Sequence, residues 1–364
     1  MIYITNDMPA MRHERIFHPS VMAGIVLQLM TEGAKLPTMT IDLRGRVKNA
    51  RLPTSRPLLP LFESVVNSLQ SLDDSQPKNP FIRIEIDRAA QASLALDSDA
   101  LSPPETFHVY DNGTGFNDQN FQSFCTSDST FKEAIGGKGV GRFMWLKAFE
   151  KVRIESVFRK DKKKFAKRSF LFTINDGGID NHRLELSPGP ANTIVHLIGM
   201  RTRWQKNCPK RVETIAYQLI QHIISWYIYG KAPSIVITDG QDTYDLATIW
   251  EETYRSNVHE TKIDVSGNLF MLHHLRLYNF LASQDEHSVH FCAHGREVFH
   301  KKIVEMIPPL PNLLTDEQGD RFLWKTFASG SYFDENVTSD RTGFDIPDDS
   351  ATLFGDSEIS FQHI

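Results

Sequence analysis

Four glycines occupy the six positions 136–141, GGKGVG, directly before the apolar-faced segment RFMWLKAF at 142–149. This pattern predicts a tight turn that runs into a helix, because glycine accepts backbone conformations that other residues avoid. Glycines also leave backbone N–H groups bare, and the helix N-terminus adds positive potential, so such a turn is suited to phosphate groups. Lys138 and Arg142 would add direct charge.

Two well-known phosphate-binding motifs are excluded at this turn. No Lys-Ser or Lys-Thr pair follows the last glycine, so the segment is not a P-loop. It is not a dinucleotide fingerprint either, because no strand precedes it and the chain does not continue as a βαβ unit. The meaning of the turn therefore depends on the segments around it.

The segment at 58–72, LLPLFESVVNSLQSL, predicts a helix with a broad apolar stripe, and Pro57 and Pro60 lie where a helix begins. Glu63 and Asn67 are four residues apart and project from one side of it. The amide oxygen suits Mg²⁺, and a carboxylate one turn away can accept a proton from water that attacks a phosphate. The alternative is an ordinary solvated helix face, although an unpaired Glu within an apolar stripe would be costly.

A glycine-containing turn follows two predicted strands, at 81–86 and 106–110. Its sequence runs from Asp111 through Gly113 to Gly115. A buried Asp at the end of a strand can accept a hydrogen bond from the amino group of adenine, and the glycines let the backbone approach a flat ring. The alternative is a simple hairpin-type turn, for which Asp-Asn-Gly is a strong signal.

The middle of the chain is predicted to hold a long loop, at 116–136, that is polar, without periodicity and of lid length. Strands are expected at 151–158, 169–174 and 192–198, and a long amphipathic helix at 211–229.

A domain boundary is predicted near residue 231, where Pro233 opens another strand. The remaining chain alternates loops with short predicted strands, at 259–265, 268–277, 288–293 and 321–328. The last fourteen residues or so show little periodicity, which suggests either a frayed end or the cut edge of a longer protein.

The order of these segments resembles the GHKL ATPase superfamily, which includes DNA gyrase B subunits, the ninety-kilodalton heat-shock chaperones, histidine kinases, MutL and MORC proteins. A helix with Glu63 and Asn67 is followed by the turn at Asp111, a lid-length loop and a glycine-rich turn that enters a helix. The segment NTIVHL also resembles the strand whose Gly-Thr closes the adenine pocket, with Asn192 in place of the usual glycine and Thr193 as the hydrogen-bonding residue.

The resemblance covers residues 20–230 and is closest in style to bacterial heat-shock-chaperone-like or MORC- and MutL-like proteins. It implies an α/β two-layer sandwich of the Bergerat type, with a mixed, mainly antiparallel sheet and helices on one face, followed by a smaller α+β transducer-like domain. It divides the chain into an N-terminal strap at 1–20, an ATP-binding domain at 21–230 and the transducer-like domain at 231–364.

The resemblance also implies ATP and Mg²⁺ as cofactors. In this reading Glu63 activates water, Asn67 holds Mg²⁺, and Asp111 and Thr193 recognise adenine beside the two glycines of the turn. The phosphates are contacted by the glycine-rich turn, through Gly137, Lys138, Gly139, Val140, Gly141 and Arg142. Lys138 is in addition a candidate catalytic residue.

The second half of the chain carries one further resemblance. The segment at 291–298, FCAHGREV, is similar to a strand–turn–strand element of the transducer domain in MutL and gyrase. Members of this group send a basic residue from that domain to the γ-phosphate. The candidates are Arg341 and either Lys301 or Lys302, and the alternative for Arg341 is a surface residue in a turn.

The presence of Glu63 favours hydrolysis over phosphotransfer, since histidine kinases commonly lack that acid. We expect a slow ATPase that drives a dimerising clamp on a protein or DNA partner. The alternatives are a nucleotide-sensing scaffold without turnover and a DNA-acting MutL- or MORC-like clamp in repair or antiviral defence.

Two basic segments are possible contacts to DNA or an acidic partner. The run RKDKKKFAKR at 159–168 is either such a contact or a solvated turn between strands. The segment at 201–211 places Trp204 among basic residues, which suits base stacking but equally suits a loop that leads into the following helix.

Composition excludes several other classes. The 364 residues carry a formal net charge of −5, with no general attraction to nucleic acid. No run approaches 18 apolar residues and no signal peptide is visible, so a cytoplasmic protein without a membrane partner is expected. Three distant cysteines predict no disulfide framework, and none of the 14 histidines has a recognised zinc spacing.

Overall fold

The computed structural model describes residues 42–89, 101–126, 141–161, 164–175, 177–278, 286–338 and 343–347. The described residues all belong to one compact unit, Asp42–Ile364. None of the described helices is long and apolar enough to cross a membrane.

The larger of two sheets has eight strands in the order β5-β4-β3-β6-β2-β1-β7-β8. All neighbours in it are antiparallel except β1 and β7, which are parallel. Its strands are β1 Phe81–Arg88, β2 Pro104–Asp111, β3 Phe149–Arg159, β4 Phe165–Phe172, β5 Ile179–Ser187, β6 Asn192–Met200, β7 Ser234–Thr238 and β8 Thr243–Asp245.

The helices that accompany this sheet share one hydrophobic core with it. They are α1 Leu43–Asn49, α2 Leu59–Ser75, α3 Asp118–Cys125, α4 Gly141–Ala148, α5 Thr202–Gln205, α6 Val212–His222, α7 Ile224–Ile228 and α8 Leu246–Ile249. Irregular helical turns lead from α8 to the second sheet, at Trp250–Tyr254 and Arg255–Asn257.

The core forms because strand and helix periodicities each place apolar residues on one side. In β1, Ile82, Ile84 and Ile86 are buried while the residues between them are not. Helix α2 buries Val65 and Leu69 completely, and each such side chain contributes about 2 kcal/mol. This packing fixes the rotation of α2 about its axis and so decides where its polar residues point.

The smaller sheet has the strand order β12-β11-β14-β10-β9, with a short β13 beside β14. Its elements are β9 Val258–Val265, β10 Asn268–Leu277, β11 Ser288–Ala293, β12 Arg296–Lys302, β13 Leu314–Thr315 and β14 Arg321–Ser329, together with helices α9 Ile303–Met306 and α10 Ser331–Asn336. The fold class is therefore the predicted one, a mixed and mainly antiparallel α/β sandwich followed by a smaller α+β portion.

Most predicted elements are confirmed, and the first exception is a helix within the predicted loop. The predicted loop at 116–136 is wrong for Asp118–Cys125, which is helical. Asn117 caps this helix by accepting a hydrogen bond of 2.8 Å from the backbone N–H of Asn120. Phe121 and Phe124 pack edge-on against Phe170, which anchors the helix to the sheet.

One predicted helix needs correction, and one strand was not predicted. The helix expected at 211–229 is divided, because Ile223 leaves helical geometry (φ −110°, ψ 21°) between α6 and α7. Strand β5 was missed because it is an edge strand without alternating burial, and its Leu186 is 71% exposed. Backbone pairing with β4 alone forms it.

The position of the predicted boundary near 231 stays a prediction. Strands β7 and β8, which follow that residue, pair within the larger sheet. The smaller sheet begins with β9.

Candidate functional site

Helix α2 turns a row of polar residues towards one pocket. Glu63 and Asn67 lie in this row, and Ser64, Ser68 and Ser71 lie beside them. Ser64 is 1% exposed, and its hydroxyl has no hydrogen-bond partner among the described residues. A buried hydroxyl without a partner is unfavourable, so this wall of the pocket is suited to a polar ligand.

Asp111 lies at the end of β2 and is 3% exposed. One of its carboxylate oxygens accepts a hydrogen bond of 2.8 Å from the Ser68 hydroxyl, and the other accepts one of 2.9 Å from the backbone N–H of Gly113. These bonds tie the strand end to α2 and fix the carboxylate at the pocket wall.

The two glycines after Asp111 are required by close approach of neighbouring elements. A Cβ at Gly113 would lie 2.8 Å from the backbone carbonyl carbon of Ser71 on α2. Gly115 has φ +79°, and a Cβ there would lie 2.7 Å from the Ser156 hydroxyl. The turn is thus wedged between α2 and β3, and only residues without a side chain fit.

Thr193 on β6 is the register partner of Asp111 on β2. It is 4% exposed, and its hydroxyl lies 2.9 Å from the Ser156 hydroxyl. Ser156 also accepts a 2.9 Å hydrogen bond from the backbone N–H of Phe116. The side-chain amide of Asn192 donates a hydrogen bond of 3.1 Å to the carbonyl of Pro190.

The glycine-rich turn enters the described structure only at its last two residues. Gly141 begins α4 and faces Glu63 so closely that a Cβ would overlap the Glu63 carboxylate. Arg142 donates a hydrogen bond of 2.6 Å to the carbonyl of Thr126, and its guanidinium lies 5.3 Å from the centre of the Phe124 ring. Both residues line the pocket.

Residues from all four predicted segments therefore line a single pocket. Its apolar wall includes Phe116, Phe124, Trp145 and Val195, and its described charged residues are Glu63, Asp74, Asp111 and Arg142. Three carboxylates against one guanidinium would repel a polyphosphate, so a phosphate ligand needs an accompanying cation here.

Several predicted site residues are not among those described. Gly136, Gly137, Lys138, Gly139 and Val140 lie outside the described residues, as do Arg341 and the predicted strap at 1–20. Lys301 and Lys302 are described on β12, and neither lines the pocket. Lys302 instead lies 2.8 Å from the Glu286 carboxylate.

Two members of the basic segments are structural. Arg168 is 3% exposed and donates hydrogen bonds to the carbonyls of Phe116 and Asn117, at 2.7 and 2.8 Å. Trp204 is 5% exposed, and its indole N–H donates to the carbonyl of Leu52 at 3.4 Å. Neither side chain is placed to contact a nucleic acid, so the loop before α6 is better explained by packing.

Sequence reasoning missed the serines in and around the pocket. Ser64, Ser68 and Ser71 lie at helical spacing on the side of α2 that carries Asn67, and this periodicity was the available signal. Ser156 had no comparable signal, because only the pairing of β3 with β6 brings it beside Thr193.

Comparison with solved structures finds matches that comparison with family models and curated proteins does not. No protein-family model matches it, and the search of curated proteins found no match. Among solved structures, it is similar to the Aquifex aeolicus MutL ATPase domain complexed with ADP, with 16% sequence identity and a TM-score of 0.40. That match covers 78% of this chain and 94% of the other. Because the identity and the TM-score are this low, the roles of the pocket residues have to be inferred from the geometry of the pocket itself.

Proposed function

We propose that the pocket binds ATP as a GHKL-type site and hydrolyses it to ADP and phosphate. The observation that carries this proposal is the convergence of α2, the turn after β2, β6 and the first residues of α4 on one pocket. These are the four segments that the sequence resemblance selected, and they are far apart along the chain. Turns and helix faces without a shared function would not be expected to line the same pocket.

The adenine end of the proposed site is the wall formed by Asp111 and Thr193. An ionised carboxylate accepts about four hydrogen bonds, so the amino group of adenine can add to the bonds from Ser68 and Gly113. Thr193 lies beside Asp111 on the neighbouring strand, as its register partner. Phe116 and Val195 supply apolar surface for the ring.

The residues at the other end fit Mg²⁺. Asn67 offers a neutral amide oxygen, and the surplus of carboxylates favours a ligand that brings its own cation. When bound, Mg²⁺ would neutralise charge on the phosphates. In the proposed arrangement Asn67 holds it, while Gly141 and Arg142 belong to the phosphate side.

Glu63 is the proposed general base. Its carboxylate is packed against Gly141, at the N-terminus of α4, where bound phosphates would meet the first backbone N–H groups of the helix. From there it would accept a proton from the attacking water. Positioning and electrostatics supply most of the catalysis in such reactions, so turnover is expected to be slow until the site closes.

The proposal is tested with Glu63→Ala beside Glu105→Ala, which changes an exposed residue of β2. Loss of a general base lowers the rate by about 10²- to 10⁴-fold. Glu63→Ala should therefore bind a fluorescent ATP analogue as the unmodified protein does and release almost no phosphate. Normal hydrolysis by Glu63→Ala would show that the base is wrongly assigned, and absence of nucleotide binding by the unmodified protein would overturn the proposal.

Radiolabelled ATP separates the competing functions. Free phosphate indicates an ATPase, labelled protein indicates a kinase, and binding with neither product indicates a nucleotide-sensing scaffold. Clamp action, a nucleotide-dependent homodimer and a protein or DNA partner stay predictions. A DNA clamp would show DNA-stimulated hydrolysis with a steep salt dependence.

A further inference from the structure

A hairpin of the smaller sheet gathers two histidines and a glutamate on one face. His290 on β11 and His300 on β12 are direct register partners. Glu297 would ordinarily point to the other face, because it is three residues from His300 and strand side chains alternate. The register shifts between Phe291 and Cys292, however, so that Glu297 pairs with Cys292. This bulge brings the carboxylate to the side of both imidazoles.

The resulting distances are those of a compact ligand set. The Glu297 carboxylate lies 2.9 Å from Nδ1 of His290 through one oxygen and 2.9 Å from Nδ1 of His300 through the other. Ligand atoms of the three residues all lie within 4.8 Å of one another. Within the part of the chain that the structure describes, no other three histidine, cysteine or acidic side chains bring their ligand atoms so close together.

The orientation of the buried His290 ring makes its Nδ1 available. The other nitrogen, Nε2, lies 2.9 Å from the Ser288 hydroxyl, and the ring is stacked on Phe327 with the centroids 4.6 Å apart. Nδ1 is buried, and its polar neighbour among the described residues is the Glu297 carboxylate at 2.9 Å. In one tautomer of His290, Nδ1–H donates to the Glu297 carboxylate. In the other, Nε2–H donates to Ser288 and a lone pair on Nδ1 faces the carboxylate oxygen, and a cation bound by both atoms would relieve that repulsion.

We propose that His290, Glu297 and His300 form a binding site for a divalent transition-metal cation. Two imidazole nitrogens and one carboxylate oxygen suit Zn²⁺, which takes such ligands in tetrahedral geometry. Glu297 and His300 are exposed, which leaves the fourth position to water. Ser288 acts as the outer partner that fixes the His290 tautomer, as hydrogen-bond acceptors do for metal-bound histidines.

The neighbouring charges set a limit on affinity. Lys302 and Lys325 both act electrostatically on His300 and oppose a second cation there. Lys302 is in turn paired with Glu286 at 2.8 Å, which offsets part of its charge. The Glu297 carboxylate supplies the negative charge at the centre of the group.

The site adjoins the helix of the candidate nucleotide pocket. Arg296, next to Glu297, forms an ion pair with Asp73 on α2. A bound metal would fix the hairpin that makes this contact. The metal proposal does not depend on ATP binding and is tested without nucleotide.

The experiment measures binding of Zn²⁺ alone to the full chain, with Co²⁺ as a spectroscopic substitute. The site variants are Glu297→Gln and His300→Ala. The matched control variants are Glu252→Gln and His259→Ala, which change exposed residues outside the site. The site residues are exposed too, so these changes should preserve the fold, which circular dichroism checks.

The expected result is one Zn²⁺ per chain and a visible Co²⁺ spectrum of tetrahedral type. Affinity should fall by about tenfold or more in each site variant and stay unchanged in both controls. Absence of stoichiometric binding would overturn the proposal. Equal binding by the site variants and the unmodified protein would also overturn it, since the metal would then lie elsewhere.

Discussion

The Arg296 guanidinium on the hairpin of the smaller sheet is paired with the Asp73 carboxylate on α2, the helix that carries Glu63 and Asn67. Its Nε lies 3.1 Å from a carboxylate oxygen of Asp73, and its guanidinium carbon lies 5.2 Å from the centre of the Trp226 ring. The Arg296 side chain is 14% exposed and that of Asp73 is 34% exposed. This contact joins the second sheet to the helix of the candidate nucleotide pocket.

The first prediction concerns the energy of this pair. A double-mutant cycle with Arg296→Ala and Asp73→Ala should give a coupling of about 1 kcal/mol, because the pair is partly screened by solvent. The measurement is the free energy of unfolding in urea for the four proteins. Strictly additive effects would mean that the ion pair contributes nothing. Arg255→Ala, which removes an exposed ion pair with Glu251, serves as a comparison and should lower the free energy of unfolding by less than Arg296→Ala does.

The second prediction concerns nucleotide recognition. Asp111→Asn should weaken ATP binding by about 10- to 100-fold, since a hydrogen bond to a charged group contributes about 1.5–3 kcal/mol. Titration with a fluorescent adenine nucleotide measures the change. Asp242→Asn, at an exposed position of the turn between β7 and β8, is the matched control. Equal affinities for Asp111→Asn and the control would place adenine elsewhere.

The third prediction separates close packing from backbone strain. Gly113→Ala and Gly115→Ala should each destabilise the fold by about 1–3 kcal/mol, because an added Cβ would collide with α2 or β3. Gly177 has φ +87° but open space around its Cα, so Gly177→Ala carries only the conformational cost. Thermal unfolding of the three variants gives the comparison. A Gly113→Ala protein as stable as the unmodified chain would contradict the packing at Ser71.

The fourth prediction is a pH dependence that arises from His196. Burial lowers the pKa of His196 to about 4, and Arg153 and His108 act in the same direction. Nδ1 of His196 lies 2.6 Å from Nδ1 of His108, so one ring must accept and cannot be protonated there. His196 is therefore protonated at a lower pH in the folded protein than in the unfolded chain.

The contribution of neutral His196 to the free energy of unfolding is full above about pH 6.5. It is lost as the pH falls towards 4, because the unfolded chain binds the proton first. Between pH 7 and 4 the unmodified protein should lose on the order of 2 kcal/mol more than His196→Gln. Urea unfolding across this range measures the difference, with His259→Gln as the exposed control. Parallel curves for the unmodified and His196→Gln proteins would refute the assignment.

The sequence by itself predicted most of the helices and strands around the candidate pocket and several of the residues that line it. Apolar periodicity located α2 and most strands, since helix and strand periods are local properties. Glu63, Asn67 and Asp111 were selected by residue type and position in the predicted elements, and Thr193 by the family resemblance. The helix at Asp118–Cys125 escaped, because its stability comes from packing of Phe121 and Phe124 against a distant strand.

Only the tertiary structure decided which residues meet. Ser156 reaches Thr193 through strand pairing, and Ser68 reaches Asp111 through the packing of α2 on the sheet. The histidines gave no zinc spacing in the sequence, yet a one-residue bulge places Glu297 beside His290 and His300. Register and packing depend on contacts between residues far apart in the chain, and no local pattern encodes them.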